Sequence, residues 1–209
     1  MNLYERNQKQ RNFFNEKIDT YDDAHSTYME TKKTLADSLD KDTKKVLDLG
    51  AGTGLELIHL FELYPDTMVT VIDITENMLD ELKKRDFADH VTTICGDFFE
   101  VDFGNDYDAV ISTSALHHFK KEEKKVLYKK IYDCLKENGQ FINCDKMAYN
   151  DEDELKMMNE LENNIDAYKH IDTPLTEEHE MDLLKEIGFK EISSSDVDKD
   201  NYKLILSRK

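Results

Sequence analysis

The chain has 209 residues, a length typical of one domain with a substantial core, and its cysteines (Cys95, Cys134, Cys144) show neither a disulfide framework nor zinc-ligand spacing. With 28 Lys and Arg against 46 Asp and Glu, the net charge is −18, which disfavours binding to nucleic acids and anionic lipid surfaces. The first ten residues lack the apolar stretch of a secretory signal, and no window resembles a membrane span, so we expect a cytoplasmic protein.

Residues 1–40 are expected to form a helical preface to the domain. Apolar residues from about 13 to 39 follow a loose helical spacing, which clustered aspartates interrupt near residues 19–23. This pattern predicts two short helices. We expect the aromatic residues Phe14, Tyr21 and Tyr28 either to fold over a ligand site as a lid or to seal the edge of a sheet.

Residues 45–145 alternate between strand-like and helix-like patterns. In chain order, the predicted elements are strand 45–49, helix 54–63, strand 68–72, helix 76–84, strands 91–95 and 107–112, helix 121–137 and strand 140–144. Strands that alternate with helices form parallel sheets covered on both faces. The sequence therefore predicts an α/β, doubly wound, Rossmann-like architecture.

Residues 146–209 change pattern. An amphipathic helix is predicted from about 151 to 168, and a second helix from about 177 to 186. Two further strands, 189–194 and 202–207, are separated by a turn-rich segment and predict an antiparallel hairpin. Counted with the earlier strands, they give a single 1–209 domain with a seven-stranded, mostly parallel sheet.

A glycine-rich loop, Asp48–Gly54, joins the first predicted strand to the first predicted helix. Gly50, Gly52 and Gly54 suit a tight turn with positive φ, or a backbone that a ligand approaches too closely for a Cβ atom. A purely structural turn also produces such a loop. The loop lacks the Lys-Ser/Thr ending of a P-loop, which disfavours nucleoside triphosphates.

Two acids follow neighbouring strands at the same edge of the predicted sheet. Asp73 ends the second strand, 19 positions after Gly54, where a carboxylate can accept hydrogen bonds from ribose hydroxyls. Asp97 and the aromatic Phe98 follow the third strand. Asp97 alone could be a turn or cap residue, but the combination favours a nucleoside site.

In these motifs the chain resembles the class I S-adenosylmethionine-dependent methyltransferases, over about residues 46–145. The resembling segments, in family order, are 46–54, 71–74, 95–98, 107–111 and 135–141. The terminal strand pair is also similar to the reversed last strand of that family, which argues against a nicotinamide dehydrogenase. The resemblance implies S-adenosylmethionine as cofactor, with 45–145 as the cofactor-binding core and 146–209 as the acceptor side.

The resemblance further implies the residues that bind each end of the cofactor. Gly50, Gly52 and Gly54 would line its methionine and ribose portions. Asp48 and the backbone around Ser112 would lie near the methionine amino group.

At the nucleoside end, Asp73 would bind the ribose hydroxyls. Asp97 would accept from the adenine amine, with a backbone group of Phe98 nearby. Ile74 and Met78 would pack on the adenine faces, although ordinary core packing explains them equally well.

Two adjacent histidines, His117 and His118, follow the fourth predicted strand in a segment similar to the loop that faces the transferred methyl group in small-molecule members of the family. Either could be a general base, a wall of the acceptor pocket or part of the loop structure. No carboxylate stands at ligand spacing beside them, so we expect no metal site.

We therefore expect methyl transfer to an oxygen, nitrogen or carbon atom of a small molecule, with release of S-adenosylhomocysteine. A tRNA or protein methyltransferase and a non-catalytic, cofactor-binding regulator remain alternatives. The sequence leaves the acceptor and the oligomeric state open.

Overall fold

The computed structural model describes residues 2–25, 29–164, 172–197 and 201–209. The N-terminal segment forms α1 (Leu3–Lys17), a 3₁₀ turn (Ile18–Thr20), α2 (Tyr21–His25) and α3 (Met29–Asp37). The prediction of two short helices from about residue 13 is therefore wrong, since α1 begins ten residues earlier. Tyr28 lies outside the described residues.

The early start of α1 has a local cause in a reciprocal cap. The Asn2 side chain accepts a hydrogen bond from the backbone N–H of Glu5, and the Glu5 carboxylate accepts one from the backbone N–H of Asn2, both at 2.9 Å. These two bonds satisfy N–H groups that the first turn of a helix otherwise leaves without partners. They stabilise a helix whose sequence is polar nearly throughout.

The described strands form one seven-stranded sheet in the order β3-β2-β1-β4-β5-β7-β6, in which β7 runs antiparallel to both neighbours. The other adjacent pairs are parallel. This confirms the predicted fold class. The strands are β1 (Lys45–Leu49), β2 (Met68–Asp73), β3 (Val91–Cys95), β4 (Tyr107–Thr113), β5 (Leu135–Lys146), β6 (Lys190–Asp196) and β7 (Tyr202–Arg208).

Helices cover both faces of this sheet. The described helices after α3 are α4 (Leu55–Leu63), α5 (Glu76–Leu82), α6 (Lys121–Cys134), α7 (Asp151–Asn164) and α8 (Glu177–Ile187). One hydrophobic cluster joins the sheet to α6 and α8, and a second joins it to α3, α4 and α5. The period of two along a strand separates the clusters, because Val110 of β4 lies in the first cluster while Ala109 and Ile111 lie in the second.

Helix α6 ends three residues before the predicted boundary at residue 137. Leu135 already pairs with Tyr107 of β4, and the register shifts before Gln140 resumes the pairing opposite Ala109. Asn138, with a φ of 65°, lies in the irregular stretch between the two pairs. Residues 135–137 therefore belong to β5, although the helical pattern of the sequence assigned them to the preceding helix.

Strands β1 to β4 are parallel, so their carboxyl ends meet at one edge of the sheet. Backbone bonds extend this edge beyond the strands, from Gly50 N–H to the Ile72 carbonyl and from Gly96 N–H to the Asp73 carbonyl, both at 2.9 Å. The loops after the first three strands therefore converge. Among the described residues, no helix combines the length and the apolar character that crossing a membrane requires.

Candidate active site

A cavity lies at this edge, where β1 and β4 are neighbours and the strand order reverses. Open α/β sheets bind ligands at such a switch point. Ten of its lining residues were predicted from the sequence: Phe14, Tyr21, Gly50, Gly52, Asp73, Ile74, Met78, Asp97, Phe98 and His118. The remaining lining residues are Asn7, Gln10, Thr75, Gly96, Ser114, Ala115 and Phe119.

The glycines of the Asp48–Gly54 loop have positive φ values and differ in what they face. A Cβ atom at Gly50 would lie 2.5 Å from the Ala115 Cβ atom, and one at Gly52 would lie 3.1 Å from the Tyr21 hydroxyl. Gly54 instead faces Leu82 in the interior and precedes α4. Gly50 and Gly52 therefore border the cavity, whereas Gly54 shapes the turn behind it.

Asp73 connects the end of β2 to the glycine loop. One carboxylate oxygen accepts a hydrogen bond from the Gly52 N–H at 3.0 Å, and the other accepts one from the Thr75 N–H at 2.8 Å. Burial raises the pKa of Asp73, against the opposing effect of these two bonds. The Thr75 side chain also bonds to this carboxylate, so about one of its roughly four acceptor positions remains for a hydroxyl donor.

Asp97, after β3, bonds to the first helix of the chain. The Asn7 side-chain amide donates to Asp97 Oδ2 at 2.7 Å, and the Phe99 N–H donates to Oδ1 at 2.9 Å. Asn7 and Gln10 of α1 both line the cavity and were missed by the sequence reasoning. The Asn-x-x-Glu cap at residues 2–5 was the available signal for a helix there.

The N-terminal segment is also tied to the glycine loop itself. The Thr53 hydroxyl donates to Asp22 of α2 at 2.5 Å, and the Arg85 guanidinium donates to the same carboxylate at 2.6 Å. Arg85 also donates to the Thr53 carbonyl at 3.1 Å. These bonds hold α2 in position, with Tyr21 lying over Gly52.

Asp48 and Ser112 lie behind the lining residues. The Ser112 hydroxyl donates to the Leu49 carbonyl at 2.8 Å and so links β4 to β1. Asp48 is fully buried, and its pKa is raised well above the ordinary value by burial first and by the neighbouring Glu56 carboxylate second. The nearby Lys32 ammonium, 3.1 Å from Glu56, opposes this shift.

The buried side chain of His117 pairs with that of Asp145, the second-last residue of β5. Asp145 Oδ1 lies 2.5 Å from His117 Nδ1, while Oδ2 accepts the backbone N–H groups of Leu116 and His117, each at 2.9 Å. Burial lowers the pKa of His117, but the Asp145 charge and hydrogen bond outweigh it and raise the pKa to about 9. Asp145 was missed, although it follows a predicted strand at the same edge as Asp73.

A second carboxylate, Asp172, reaches the histidines from a distant part of the chain. Asp172 Oδ1 lies 3.4 Å from His117 Nε2 and 3.3 Å from His118 Nδ1. The argument against a metal site depended on the absence of a carboxylate near the histidine pair, and the structure removes that argument. These three atoms lie within 4.8 Å of one another, close enough to share an ion.

A second cavity adjoins the first. Both are lined by Phe14, Tyr21, Ser114 and His118, which form a shared wall. The second cavity is further lined by Phe13, Lys17, Thr20, Ala24, His117, Lys146, Tyr149, Asp172 and Tyr202. The site thus consists of a crevice at the glycine loop that adjoins a larger, partly aromatic cavity.

The sheet order with a reversed β7 and the glycine loop after β1 define the class of Rossmann-like methyltransferase folds. Residues 46–139 match the family model described as a methyltransferase domain. Over these residues the chain is similar to the class I S-adenosylmethionine-dependent methyltransferases, in agreement with the resemblance of its sequence motifs.

Two curated relatives show how far the similarity extends. A malonyl-[acyl-carrier protein] O-methyltransferase from Priestia megaterium is 28% identical over 137 residues, which are 62% of this chain and 48% of the relative. A carboxy-S-adenosyl-L-methionine synthase from Nautilia profundicola is 29% identical over 168 residues, 72% of this chain and 71% of the relative. The chain therefore spans about half the length of the first and over two thirds of the second.

Solved structures show the same fold. Human N-acetylserotonin methyltransferase in complex with S-adenosylmethionine has a TM-score of 0.69 and 23% identity, and the match covers 92% of this chain and 54% of that one. A mitomycin 7-O-methyltransferase has a TM-score of 0.71 and 16% identity, with 88% and 54% covered. At these identities the likeness concerns the fold alone.

Proposed function

We propose that the first cavity binds S-adenosylmethionine and that its methyl group passes to a small molecule in the second cavity. The observation that carries this proposal is the wall that the two cavities share, formed by Phe14, Tyr21, Ser114 and His118. A cofactor whose sulfonium lies at this wall presents its methyl group to the second cavity. An enzyme that transfers a group between two bound molecules needs this adjacency.

The residues of the first cavity fit the cofactor at its nucleoside end. Asp73 is held by two backbone N–H groups and would bind the ribose hydroxyls, as the resemblance implies. Asp97 would accept from the adenine amine beside the Phe98 backbone, and Ile74 and Met78 would contact the adenine faces.

The methionine end would lie along the glycine loop. Gly50 and Gly52 line the cavity there, and a Cβ atom at either position would meet Ala115 or Tyr21, which also line it. Asp48 and the backbone at Ser112, in the layer behind the loop, would stabilise the amino group by charge and hydrogen bonding. Gly54 contributes by shaping the turn that places the other two glycines.

Methyl transfer requires the side chains mainly to position the acceptor and the cofactor. A lone pair of the acceptor attacks the methyl carbon, the carbon–sulfur bond breaks, and its electron pair stays on sulfur to give S-adenosylhomocysteine. A proton leaves the acceptor oxygen or nitrogen. Alignment of the lone pair with the methyl–sulfur bond supplies on the order of 7–11 kcal/mol, and His118 belongs to the wall where this alignment occurs.

The second cavity favours an aromatic or apolar acceptor that carries an ionisable oxygen. Tyr149 and Tyr202 provide apolar surface, while Lys17 provides positive charge beside the Lys146–Asp172 ion pair in a chain whose net charge is −18. Local positive charge in an acidic protein selects a small anionic group and does not attract a polyanion. The relatives named as O-methyltransferases are consistent with an oxygen acceptor.

An acceptor screen tests this function. The chain is incubated with S-adenosylmethionine and panels of phenols, carboxylic acids, alcohols, amines, tRNA and protein, and S-adenosylhomocysteine is measured. We expect turnover with an oxygen acceptor that changes little with salt, whereas turnover of tRNA alone, falling steeply from about 50 to 200 mM salt, identifies a nucleic-acid enzyme. Cofactor binding with no turnover anywhere identifies a regulatory protein.

We also propose a cytoplasmic location. Cys134 and Cys144 are buried and Cys95 is exposed, and all three are free thiols, as is the rule in reducing compartments. Fractionation of cells that express the tagged chain tests this, and recovery in the secreted fraction contradicts it.

A further inference from the structure

We propose that His117, His118 and Asp172 bind a divalent metal ion, of which Zn²⁺ fits best, on the wall of the acceptor cavity. The two histidines follow β4 and Asp172 precedes α8, so the cluster brings together two segments that are distant in the chain. Binding of the ion stands on these residues alone. Only its role with the acceptor rests on the function proposed above.

The distances in the cluster match the geometry of a bound ion. Asp172 Oδ1 lies 3.4 Å from His117 Nε2 and 3.3 Å from His118 Nδ1. A good hydrogen bond between such atoms is about 2.7–3.2 Å. Four ligands at roughly 2.0–2.1 Å from a tetrahedral Zn²⁺ ion are separated by about 3.3 Å. The carboxylate is therefore spaced from each imidazole like a neighbouring ligand of a tetrahedral centre, and all three ligand atoms lie within 4.8 Å of one another.

The surroundings of His117 prepare it as a ligand. Its Nδ1 atom bonds to Asp145 Oδ1 at 2.5 Å, and Asp145 is itself held by the N–H groups of Leu116 and His117. A carboxylate on one imidazole nitrogen fixes the ring orientation and leaves the other nitrogen for the metal, as is usual for histidine ligands. The other nitrogen of His117, Nε2, lies 3.4 Å from Asp172 Oδ1 and is the atom that would bind the ion.

The backbone also holds Asp172 beside the histidines. The N–H of Thr173 donates to the carbonyl of His117 at 2.7 Å, so the residue after Asp172 is anchored to the other ligand loop. Lys146 Nζ lies 3.8 Å from Asp172 Oδ2, the oxygen that the cluster does not use. The lysine thus balances the carboxylate charge and leaves Oδ1 directed at the histidines.

The donor set selects the type of ion. Two imidazole nitrogens and one carboxylate oxygen are the ligands of catalytic zinc sites that keep a fourth position open, whereas Mg²⁺ and Ca²⁺ prefer oxygen ligands throughout. All three side chains line the acceptor cavity. The fourth ligand can therefore be water or an atom of a molecule bound in that cavity.

This placement narrows the acceptor class to molecules with a hydroxyl, phenol or thiol group that can ligate the ion. A divalent ion lowers the pKa of a bound O–H or S–H group, and the released proton passes to solvent. The electron pair left on that oxygen or sulfur forms the bond to the methyl carbon as the carbon–sulfur bond of the cofactor breaks. His117 and His118 then act as ligands and need not accept the proton.

Metal titration tests the site directly. Chelator-treated chain is titrated with Zn²⁺ by calorimetry and with Co²⁺ by visible absorption, without cofactor or acceptor. We expect one ion per chain and the intense bands of tetrahedral Co²⁺. His118→Ala and Asp172→Asn should abolish these bands, and Asp145→Asn should weaken Zn²⁺ binding roughly 10- to 100-fold.

His59→Ala is the matched control. His59 also lies between two carboxylates, 3.1 Å from Asp37 and 2.9 Å from Glu62, but contributes nothing to the cluster. This variant should bind the ion like the parent chain. Equal binding by the parent, His118→Ala and Asp172→Asn, or the absence of binding by the parent, overturns the proposal.

A second readout separates this inference from the proposed function. Zn²⁺ binding without methyl transfer to any acceptor keeps the metal site and overturns the function. Full methyl transfer by the chelated, metal-free chain keeps the function and overturns the role of the ion. Because the Asp172 side chain is 28% exposed, Asp172→Asn should fold normally, which far-UV circular dichroism checks.

Discussion

The Asn7 amide donates a hydrogen bond to the Asp97 carboxylate at 2.7 Å, which joins the first helix to the loop after β3 across 90 residues of sequence. Both side chains line the first cavity. A second bond, from the Arg6 guanidinium to the Glu123 carboxylate, attaches the same turn of α1 to α6. We therefore expect helix α1 to close the nucleoside end of the proposed cofactor cavity, so that a ligand enters or leaves when these bonds open.

Asn7→Ala should accelerate both the association and the dissociation of S-adenosylmethionine. In this variant, α1 can open without breaking a hydrogen bond to the Asp97 carboxylate. The equilibrium between the closed and open states should therefore shift roughly tenfold toward the open state. Stopped-flow fluorescence with a cofactor analogue measures both rates. Asn12→Ala, an exposed position on the same helix, is the control, and equal rates in the two variants contradict a closing role for Asn7.

Asp73→Ala should weaken cofactor binding by about 1.5–3 kcal/mol, because the ribose hydroxyls lose a charged acceptor. Calorimetry measures the affinity. The control is Asp66→Ala, an exposed aspartate that precedes the same strand. Unchanged affinity in Asp73→Ala would remove this residue from the cofactor site.

Gly52→Val should abolish cofactor binding while the far-UV circular dichroism spectrum stays close to that of the parent. A Cβ atom there would lie 3.1–3.3 Å from the Tyr21 hydroxyl and ring, so the larger side chain would displace Tyr21, which lines the cavity. Gly104→Val is matched for backbone strain, since φ is +73° there and the Tyr107 hydroxyl is 3.7 Å away. If both variants bind the cofactor equally, the loop is only a turn.

Asp48→Asn should stabilise the unliganded fold at neutral pH. The pKa of Asp48 in the folded state is raised above its ordinary value of 3.8. The protonated carboxyl group therefore makes its full contribution to stability below pH 3.8, and this contribution is lost as the pH rises through the folded-state pKa. The amide does not titrate, and its advantage should therefore grow between pH 4 and neutrality. Each kcal/mol raises Tm by about 2–4 °C in a domain of this size.

The same variant should bind S-adenosylmethionine more weakly, because a neutral amide attracts the methionine ammonium less than a carboxylate. Thermal unfolding across pH and calorimetry measure the two effects. Asp66→Asn, at an exposed site, should change neither. A lower Tm for Asp48→Asn at neutral pH would show that the buried carboxylate stabilises the fold.

The sequence predicts the sheet well because each strand carries its own local signal. Lys45–Leu49 and Val91–Cys95 have the predicted bounds, and the glycine loop and Asp73 follow from spacing alone. The failures have a different cause. Helix α1 is polar, so its apolar periodicity is too weak to reveal it, and only the cap at Asn2 marks its start.

The acceptor side could not be predicted in the same way. Asp172 stands 54 positions after His118, and its approach depends on a backbone bond between Thr173 and His117 that no local pattern encodes. Asp145 could have been predicted from the sequence, since it follows the apolar part of β5 at the edge where Asp73 and Asp97 lie. Tertiary contacts between distant segments, rather than propensity, create this cluster.

Phe14 and Tyr21 belong to the lining of both cavities, and Tyr21 lies against Gly52. An acceptor that already occupies the second cavity holds these rings in place and blocks the route by which the nucleoside reaches the glycine loop. We therefore expect compulsory-order steady-state kinetics, in which the sulfonium donor binds first and its demethylated product departs last.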